Sequence, residues 1–226
     1  MTELTQVPFA DLTFVDNPEP RCPCVLLLDT STSMSGASID QLNAGLRQFQ
    51  KELGNDALAS QRVEIAVITF GPVKVVQDFV TADLYAPTQL HADGDTPIGG
   101  AITEALELIR LRKQQYQANG IAYYRPWVFL ITDGAPTDHW EAAARAIKEG
   151  ERSKSLAFFP VGVDDADMAT LKQLSVRAPL KLRGVMFREL FQWLSNSLSG
   201  VSRSQVGDRL QLPNPDTTPN GWAGIE

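Results

Sequence analysis

The chain is poor in the side chains that most metal, redox and hydrolytic sites draw on. Its 226 residues include two histidines, His91 and His139, and two cysteines, Cys22 and Cys24. Two cysteines one residue apart cannot build the disulfide framework of a small secreted domain. A zinc site would need further ligands, and only the two distant histidines could supply them. Cys24 also opens an apolar run, where a free cysteine behaves as a small hydrophobe, so a structural role is expected for this pair. Positive charge is scarce as well: 20 Lys and Arg stand against 27 Asp and Glu, for a net charge of −7. With no basic block, nucleic acid and anionic membrane are excluded as first-choice partners. No apolar run approaches the roughly 20 residues of a membrane-spanning helix. Met1 to Phe14 lacks the basic-then-apolar build of a signal peptide, and a cytoplasmic location is expected. There is no Gly-x-Ser-x-Gly elbow and no Gly-rich loop ending in Lys-Ser or Lys-Thr, which removes two large enzyme classes.

What remains is an ordinary globular composition, 43% hydrophobic and 21% charged, with length enough for one well-filled α/β domain and a short appendage. Four prolines by residue 23 argue against a helix at the start; Leu12 to Val15 is expected to form a short edge strand. Val25 to Leu28 is continuously apolar, the pattern of a strand buried on both faces of a parallel sheet. Ile39, Leu42, Leu46, Phe49 and Leu53 follow at helical spacing and end near Gly54. Arg62 to Phe70 reads as a strand. Gly71-Pro72 then turns the chain so tightly that the next strand, Val73 to Val80, must pair with it antiparallel.

After a polar connection over 81–95, Ile98, Ile102, Ala105 and Ile109 mark a long helix closing around Asn119-Gly120. Trp127 to Ile131 is a second intensely apolar strand. The stretch Asp138-His139-Trp140-Glu141 reads as a capping box for the helix bearing Ala143, Ala144 and Ile147. Leu156 to Val163 is a further strand, in which Pro160 predicts an irregularity. A short helix at 168–174, a strand at 180–182 and an amphipathic helix from Phe187 to Leu198 complete the pattern. From Gly200 onward the sequence turns polar and aperiodic, with Leu210, Leu212 and Trp222 the only large apolar residues able to dock it. The expected organisation is an N-terminal extension over 1–20, one domain over 21–200 and a loosely packed tail over 201–226. The expected fold class is α/β: an open, mostly parallel, doubly wound Rossmann-like sheet with one antiparallel edge strand and helices on both faces.

In such sheets ligands bind beyond the carboxyl ends of the strands. Two strands here run straight into a carboxylate. The first continues as Asp29-Thr30-Ser31-Thr32-Ser33, where alternation in an extended turn points Asp29, Ser31 and Ser33 the same way. The second continues as Thr132-Asp133-Gly134. Three oxygen donors at one strand end suit a hard cation such as Mg²⁺, although a polar turn that caps the next helix explains them equally well. Thr96-Pro97 by itself reads as an ordinary helix start, with a hydroxyl at the cap and proline at the first helical position. Asp93, Asp95 and Asp138 fall near the same rim, with loop hydrogen bonding or helix capping as their expected work.

Taken together, Asp29-x-Ser31-x-Ser33, Thr96 in a Gly-Asp-Thr-Pro loop, and Thr-Asp133-Gly after a core strand resemble the von Willebrand factor A domain over roughly residues 20–200. Arg-Cys-Pro-Cys at 21–24, Gly-Ile-Ala-Tyr-Tyr-Arg-Pro-Trp at 120–127 and Pro-Thr-Asp-His-Trp at 136–140 resemble, more narrowly, the TerY-type proteins of bacterial tellurium-resistance systems. The resemblance implies a metal-ion-dependent adhesion site built from Asp29, Ser31, Ser33, Thr96 and Asp133. There Mg²⁺ or Mn²⁺ would accept a carboxylate from a partner protein. It also implies a setting in stress resistance beside a protein kinase and a PP2C-type phosphatase, with Thr217 and Thr218 as candidate phosphorylation sites. The chain departs from the family pattern at Thr32, where many members carry glycine; a positive φ there would strain a β-branched residue.

The alternative is a metal-dependent phosphohydrolase with Asp29 as nucleophile, like the haloacid-dehalogenase enzymes. Those require an aspartate two residues on as acid/base, and this chain has Ser31, which cannot transfer a proton near neutral pH. A non-catalytic interaction module is expected, with His91 and His139 as surface residues.

Overall fold

The computed structural model describes residues 14, 16–208, 211–216 and 221–225. The edge strand expected at Leu12 to Val15 (Phe14 apart), together with Leu210, Thr217 and Thr218, lies outside the described residues.

Seven strands form one sheet in the order β3-β2-β1-β4-β5-β6-β7. They are β1 (Cys22–Asp29), β2 (Val63–Phe70), β3 (Lys74–Thr81), β4 (Trp127–Thr132), β5 (Ala157–Gly162), β6 (Leu180–Leu182) and β7 (Ala223–Ile225). β1 lies between β2 and β4, parallel to both, and every one of its residues is buried. That is the environment its unbroken apolar run requires. Each of Val25, Leu26, Leu27 and Leu28 is fully buried, a burial worth about 1.5–3 kcal/mol per side chain.

The helices divide between the faces. On one lie α1 (Ala37–Gly54), the single turn α2 (Ala59–Arg62) and α6 (Phe187–Ser202); Leu42, Leu46 and Phe49 of α1 and Phe187, Leu190 and Phe191 of α6 share a core with Leu26 and Leu28. On the other lie α3 (Ile98–Ala118), α4 (Glu141–Arg152) and α5 (Met168–Leu174), whose Ile102, Ala105, Ile147 and Leu171 pack with Val25 and Leu27. β1 therefore feeds a helix on one face and β4 a helix on the other. Their connections part between the two central strands and leave a crevice at the carboxyl end of the sheet, where such folds place ligands.

β2 and β3 pair antiparallel, with register shifts between Ile65 and Val67 and between Val67 and Ile68. The irregularity expected at Pro160 does not occur in its ladder with β4, which runs without a shift from Trp127↔Ala157 to Thr132↔Gly162. β6 pairs only with Val161 and Gly162, so at the proline β5 has a hydrogen-bonded neighbour on one side alone, and the missing N–H is tolerated.

The end of the polar stretch also departs from the sequence reading. Instead of a loose tail it supplies β7, which pairs antiparallel with β6 through Leu182↔Ala223 and gives the sheet a second antiparallel margin. Trp222, 1% exposed, anchors this strand with its ring centroid 5.6 Å from that of Trp193, helped by Leu212 packing on the core and by Trp193 Nε1 donating to Pro213 O at 2.9 Å.

At the amino end of the sheet sits a cluster that hydropathy patterning does not reveal. The Glu64 carboxylate on β2, fully buried, accepts hydrogen bonds from Arg21 Nε at 2.9 Å, Arg112 Nε at 2.8 Å and the Tyr116 hydroxyl. Burial pulls the Arg112 guanidinium down, and Glu64 outweighs it, holding the group above its usual value. Arg21 also forms an isolated parallel bridge with Tyr123, so two of the short motifs quoted above meet here. Cys22 and Cys24 are free and fully buried; burial, with Glu64 nearby, pushes the Cys22 thiol up to about 12, as suits a structural thiol.

Candidate metal centre

The register Leu28↔Ile131 brings the end of β1 beside the end of β4, and with them Asp29 beside Thr132. Asp29 is fully buried. Its Oδ1 accepts the Ser31 backbone N–H at 2.8 Å, an Asx turn that reverses the chain, and its Oδ2 accepts the Thr132 hydroxyl. The Ser31 and Ser33 hydroxyls are 2.9 Å apart, and Ser33 donates to Asp133 Oδ1 at 2.7 Å. Four of the five expected residues thus form one hydrogen-bonded chain, Asp29 to Ser31 to Ser33 to Asp133. It climbs from the buried strand end to the surface, with Ser31 2% exposed and Ser33 in the open.

Thr96, the fifth, arrives on the long connection after β3. That loop is tied down by Thr32, whose N–H and hydroxyl both donate to Gly94 O, at 3.0 and 3.1 Å, and by Asp93, whose N–H donates to Thr30 O at 2.6 Å. The β2–β3 turn passes so close beneath that a Cβ on Gly71 would come within 2.1 Å of Asp93 O; only glycine fits. Thr96 is 6% exposed and stands outside the serine chain but against its far end, since a Cβ on Gly134 would lie 3.2 Å from Thr96 Oγ1.

Three expectations about this region need revision. Thr96 does not cap the following helix: α3 starts at Ile98 after Pro97 and has no side-chain cap from the preceding residues. The cap comes from Asp138, whose two oxygens accept the Gly99 and Gly100 N–H groups at 2.9 and 2.7 Å. Asp138 is therefore not the cap of α4, which begins at Glu141 after Trp140 without a side-chain cap bond. As the cap of α3 the carboxylate accepts two open N–H groups with its two oxygens, where as the cap residue of a capping box its side chain would accept one. Finally, Thr32 carries no strained φ. Among the described residues only Lys154 and Asp164 combine a side chain with positive φ; Thr32 opens a 3₁₀ turn to Met34, and its branched side chain supplies the hydroxyl that holds Gly94. His91 and His139 are exposed.

The electrostatics are those of an uncompensated pair. Burial raises the Asp29 carboxyl above its usual range, against the Ser31 and Thr132 hydrogen bonds, and Asp133 adds to the rise. Burial also raises Asp133, against the Ser33 bond, with Asp164 adding its repulsion. Among the described residues no Lys or Arg forms an ion pair with either, and no group of three or more His, Cys, Asp or Glu gathers as a metal cluster. Hydroxyl and carboxylate oxygens of this kind suit a hard divalent cation and suit zinc or copper poorly.

Sequence reasoning overlooked Thr132 and Asp164. Thr132 immediately precedes a singled-out aspartate and was the visible hint. Asp164 follows β5 as Asp29 and Asp133 follow their strands, so the same sign was present a third time; it sits at φ +46 with the Ser38 hydroxyl 3.5 Å from its carboxylate.

No curated protein matches the sequence. Among solved structures the chain is similar to a von Willebrand factor type A protein from Catenulispora acidiphila, at 18% identity and TM-score 0.63, covering 80% of this chain and 43% of that one. The pilus adhesin SpaC from Lactobacillus rhamnosus GG, in its open conformation, gives 12% identity and TM-score 0.58 over 81% of this chain and 31% of that one. Proximal thread matrix protein 1 from the mussel byssus gives 15% and 0.55 over 81% and 49%. The chain spans less than half the length of each, and at these identities the likeness is one of fold. The sequence profile of the von Willebrand factor type A domain matches residues 24–188. With that match over most of its length, and with a mostly parallel sheet flanked by helices, the chain belongs to the von Willebrand factor type A domain family, a family of protein-interaction modules.

Proposed function

We propose that the crevice holds a divalent cation, Mg²⁺ or Mn²⁺, and that the protein captures a partner whose Asp or Glu completes the ion's coordination. The observation that carries this reading is the pair Asp29 and Asp133: two carboxylates in one hydrogen-bonded chain, both raised by burial, neither paired with a cation of the chain. Buried anions without a counter-charge are costly, and a bound cation removes that cost. Ser31, Ser33 and Thr96 would offer it hydroxyl oxygens, with Asp29 and Asp133 as the balancing charge. Because Asp138 caps α3, the Thr96 hydroxyl is not spent there. Neutral hydroxyl ligands leave much of the ion's charge uncompensated, and a carboxylate from outside then makes a strong charge-assisted contact.

A catalytic role for Asp29 is disfavoured by its surroundings. It is 0% exposed and both its oxygens accept hydrogen bonds, whereas a nucleophile must reach its substrate. We read the protein as a non-catalytic module. Among the described residues no helix is long and apolar enough to cross a membrane; both thiols are free, in keeping with the cytoplasmic setting we propose. The TerY-type motifs support a place in stress or tellurium resistance, with the neighbouring kinase and PP2C-type phosphatase as first candidate partners. The test is capture of those two proteins on the immobilised chain with Mg²⁺ and with EDTA, for wild type and Ser33→Ala. Capture that needs both the metal and Ser33 is expected; equal capture under all conditions overturns the reading.

A further inference from the structure

A cavity of about 640 Å³ lies away from this crevice. Its lining includes Trp127 and Ala157, the first residues of β4 and β5, so it opens at the amino end of the sheet, roughly 20 Å along the strands from Asp133. Its size is that of a small-molecule site, and such sites combine apolar and aromatic walls with a few placed polar groups. Tyr124, Trp127 and Phe159 provide the aromatic wall, and Val201 and Leu212 add aliphatic surface.

The polar groups are chiefly cations, in a protein of net charge −7. Among the described residues Arg125, Lys154 and Arg177 line the cavity, against one carboxylate, Asp208. The hydrogen-bond partners of Arg125 are backbone carbonyls, Leu156 O and Glu151 O, which orient the guanidinium and leave its charge in place. The Glu151 carboxylate is committed elsewhere: it accepts from Arg177 Nε at 2.9 Å and from the Val176 N–H at 2.8 Å. Asp208 accepts the Gln205 N–H at 2.8 Å. Positive charge is therefore left over. Its mutual repulsion is visible in Arg125, pulled below its usual value by burial first and by Arg177 second with Glu151 opposing in part, and in Lys113 behind it, lowered by burial and by Arg125. Arg177 lies over the Phe159 ring at 4.9 Å, so cation and aromatic wall form one surface. Lys154 is held at φ +58, a conformation that asparagine or glycine would adopt with less strain. The fold keeps a long cation where a small polar residue would sit more easily.

We propose that this cavity binds a small anionic molecule carrying a flat unsaturated ring, the anion meeting Arg125 and Lys154 and the ring lying against Trp127. The site is separate from the cation crevice and does not rest on the function proposed for it.

Anilinonaphthalene sulfonate, a flat ring system with one negative charge, is a direct probe. Fluorescence titration of the full chain is expected to show one saturable site, displaced by adenosine monophosphate and indifferent to EDTA and to Ser33→Ala. Arg125→Gln should weaken the dye about tenfold, as loss of a charge-assisted contact does. Lys154→Asn, which suits the positive φ and touches no buried partner, should weaken it about threefold; that variant decides the matter if Arg125→Gln does not fold. Arg110→Gln, whose residue pairs with Glu107 on the exposed face of α3, should change nothing. Unsaturable binding, equal affinity in both cavity variants, loss of binding in Ser33→Ala, or displacement by an oligoglutamate peptide and not by adenosine monophosphate would each overturn the proposal, the last in favour of an acidic protein segment.

Discussion

The two ends of the sheet treat buried carboxylates in opposite ways. At the amino end Glu64 is fully buried and saturated, with two arginines and a tyrosine from the chain itself on its oxygens. At the carboxyl end Asp29 is as deeply buried, yet its partners are a backbone N–H and a hydroxyl, and Asp133 joins it with a serine as its bonded partner. A carboxylate that serves the fold brings its counter-charge with it. A pair that leaves the counter-charge out has a place for one from solution. The same sheet therefore displays both a closed and an open arrangement, and this difference is the ground on which a cation site is proposed at the carboxyl end.

The comparison can be pressed from both sides. The largest effect should come from Glu64→Gln, which strands two buried guanidinium groups and should cost about 3–5 kcal/mol in denaturant unfolding. A loss under about 1 kcal/mol would remove the contrast. Asp29→Ala should cost about 1–3 kcal/mol in the absence of metal, because Ser31 N–H and the Thr132 hydroxyl lose their acceptor in a buried place. It is accordingly a poor probe of metal binding, and Ser33→Ala, at an exposed residue, is the cleaner one.

A smaller effect, opposite in sign, is expected at Asp133. Its carboxyl is raised in the folded protein, so the stability tied to its protonated form is present below the unfolded value near about 3.9 and lost as pH rises through the folded one. Without metal, Asp133→Asn should be more stable than wild type at neutral pH, and the gap should close as pH falls to about 4. A gap that is constant or reversed would show that Asp133 is already compensated. The smallest effect is Thr32→Val, which removes the hydroxyl bond to Gly94 O and should lower stability by about 0.5–1 kcal/mol, while loosening the loop that carries Thr96 enough to weaken metal binding measurably by calorimetry.

Most of the fold was legible because its central strands are buried on both faces and its helices on one, so β1, α1, β4, α5 and β6 fall where the apolar periodicity puts them. What escaped were features set by distant partners. Trp222 turns a polar tail into a strand through its packing on Trp193. Asp138 has the local spacing of a cap for α4 but bonds to α3, and spacing alone cannot choose between two helix starts. Glu64, Arg21 and Arg112 are far apart in sequence, and no local pattern pairs them. In the candidate site, the approach of Asp29 and Asp133 was readable because strand ends converge in this topology, whereas the grouping of both with Ser31, Ser33 and Thr96 came from the family resemblance. Thr132 stood in view beside Asp133, but its bond is to Asp29, 103 residues away, and the anchoring role of Thr32 depends on Gly94, 62 residues away.

The measurement that bears most directly on the open end of the sheet is thermal unfolding with and without millimolar Mg²⁺ at matched ionic strength, on wild type and Ser33→Ala. Binding to the native state alone stabilises by about 2.7 kcal/mol at a hundredfold excess over the dissociation constant. The expected result is a wild-type midpoint that rises with Mg²⁺ and a Ser33→Ala midpoint that does not. An unchanged wild-type midpoint, or equal rises in both proteins, would contradict a cation held at Ser31, Ser33, Thr96, Asp29 and Asp133.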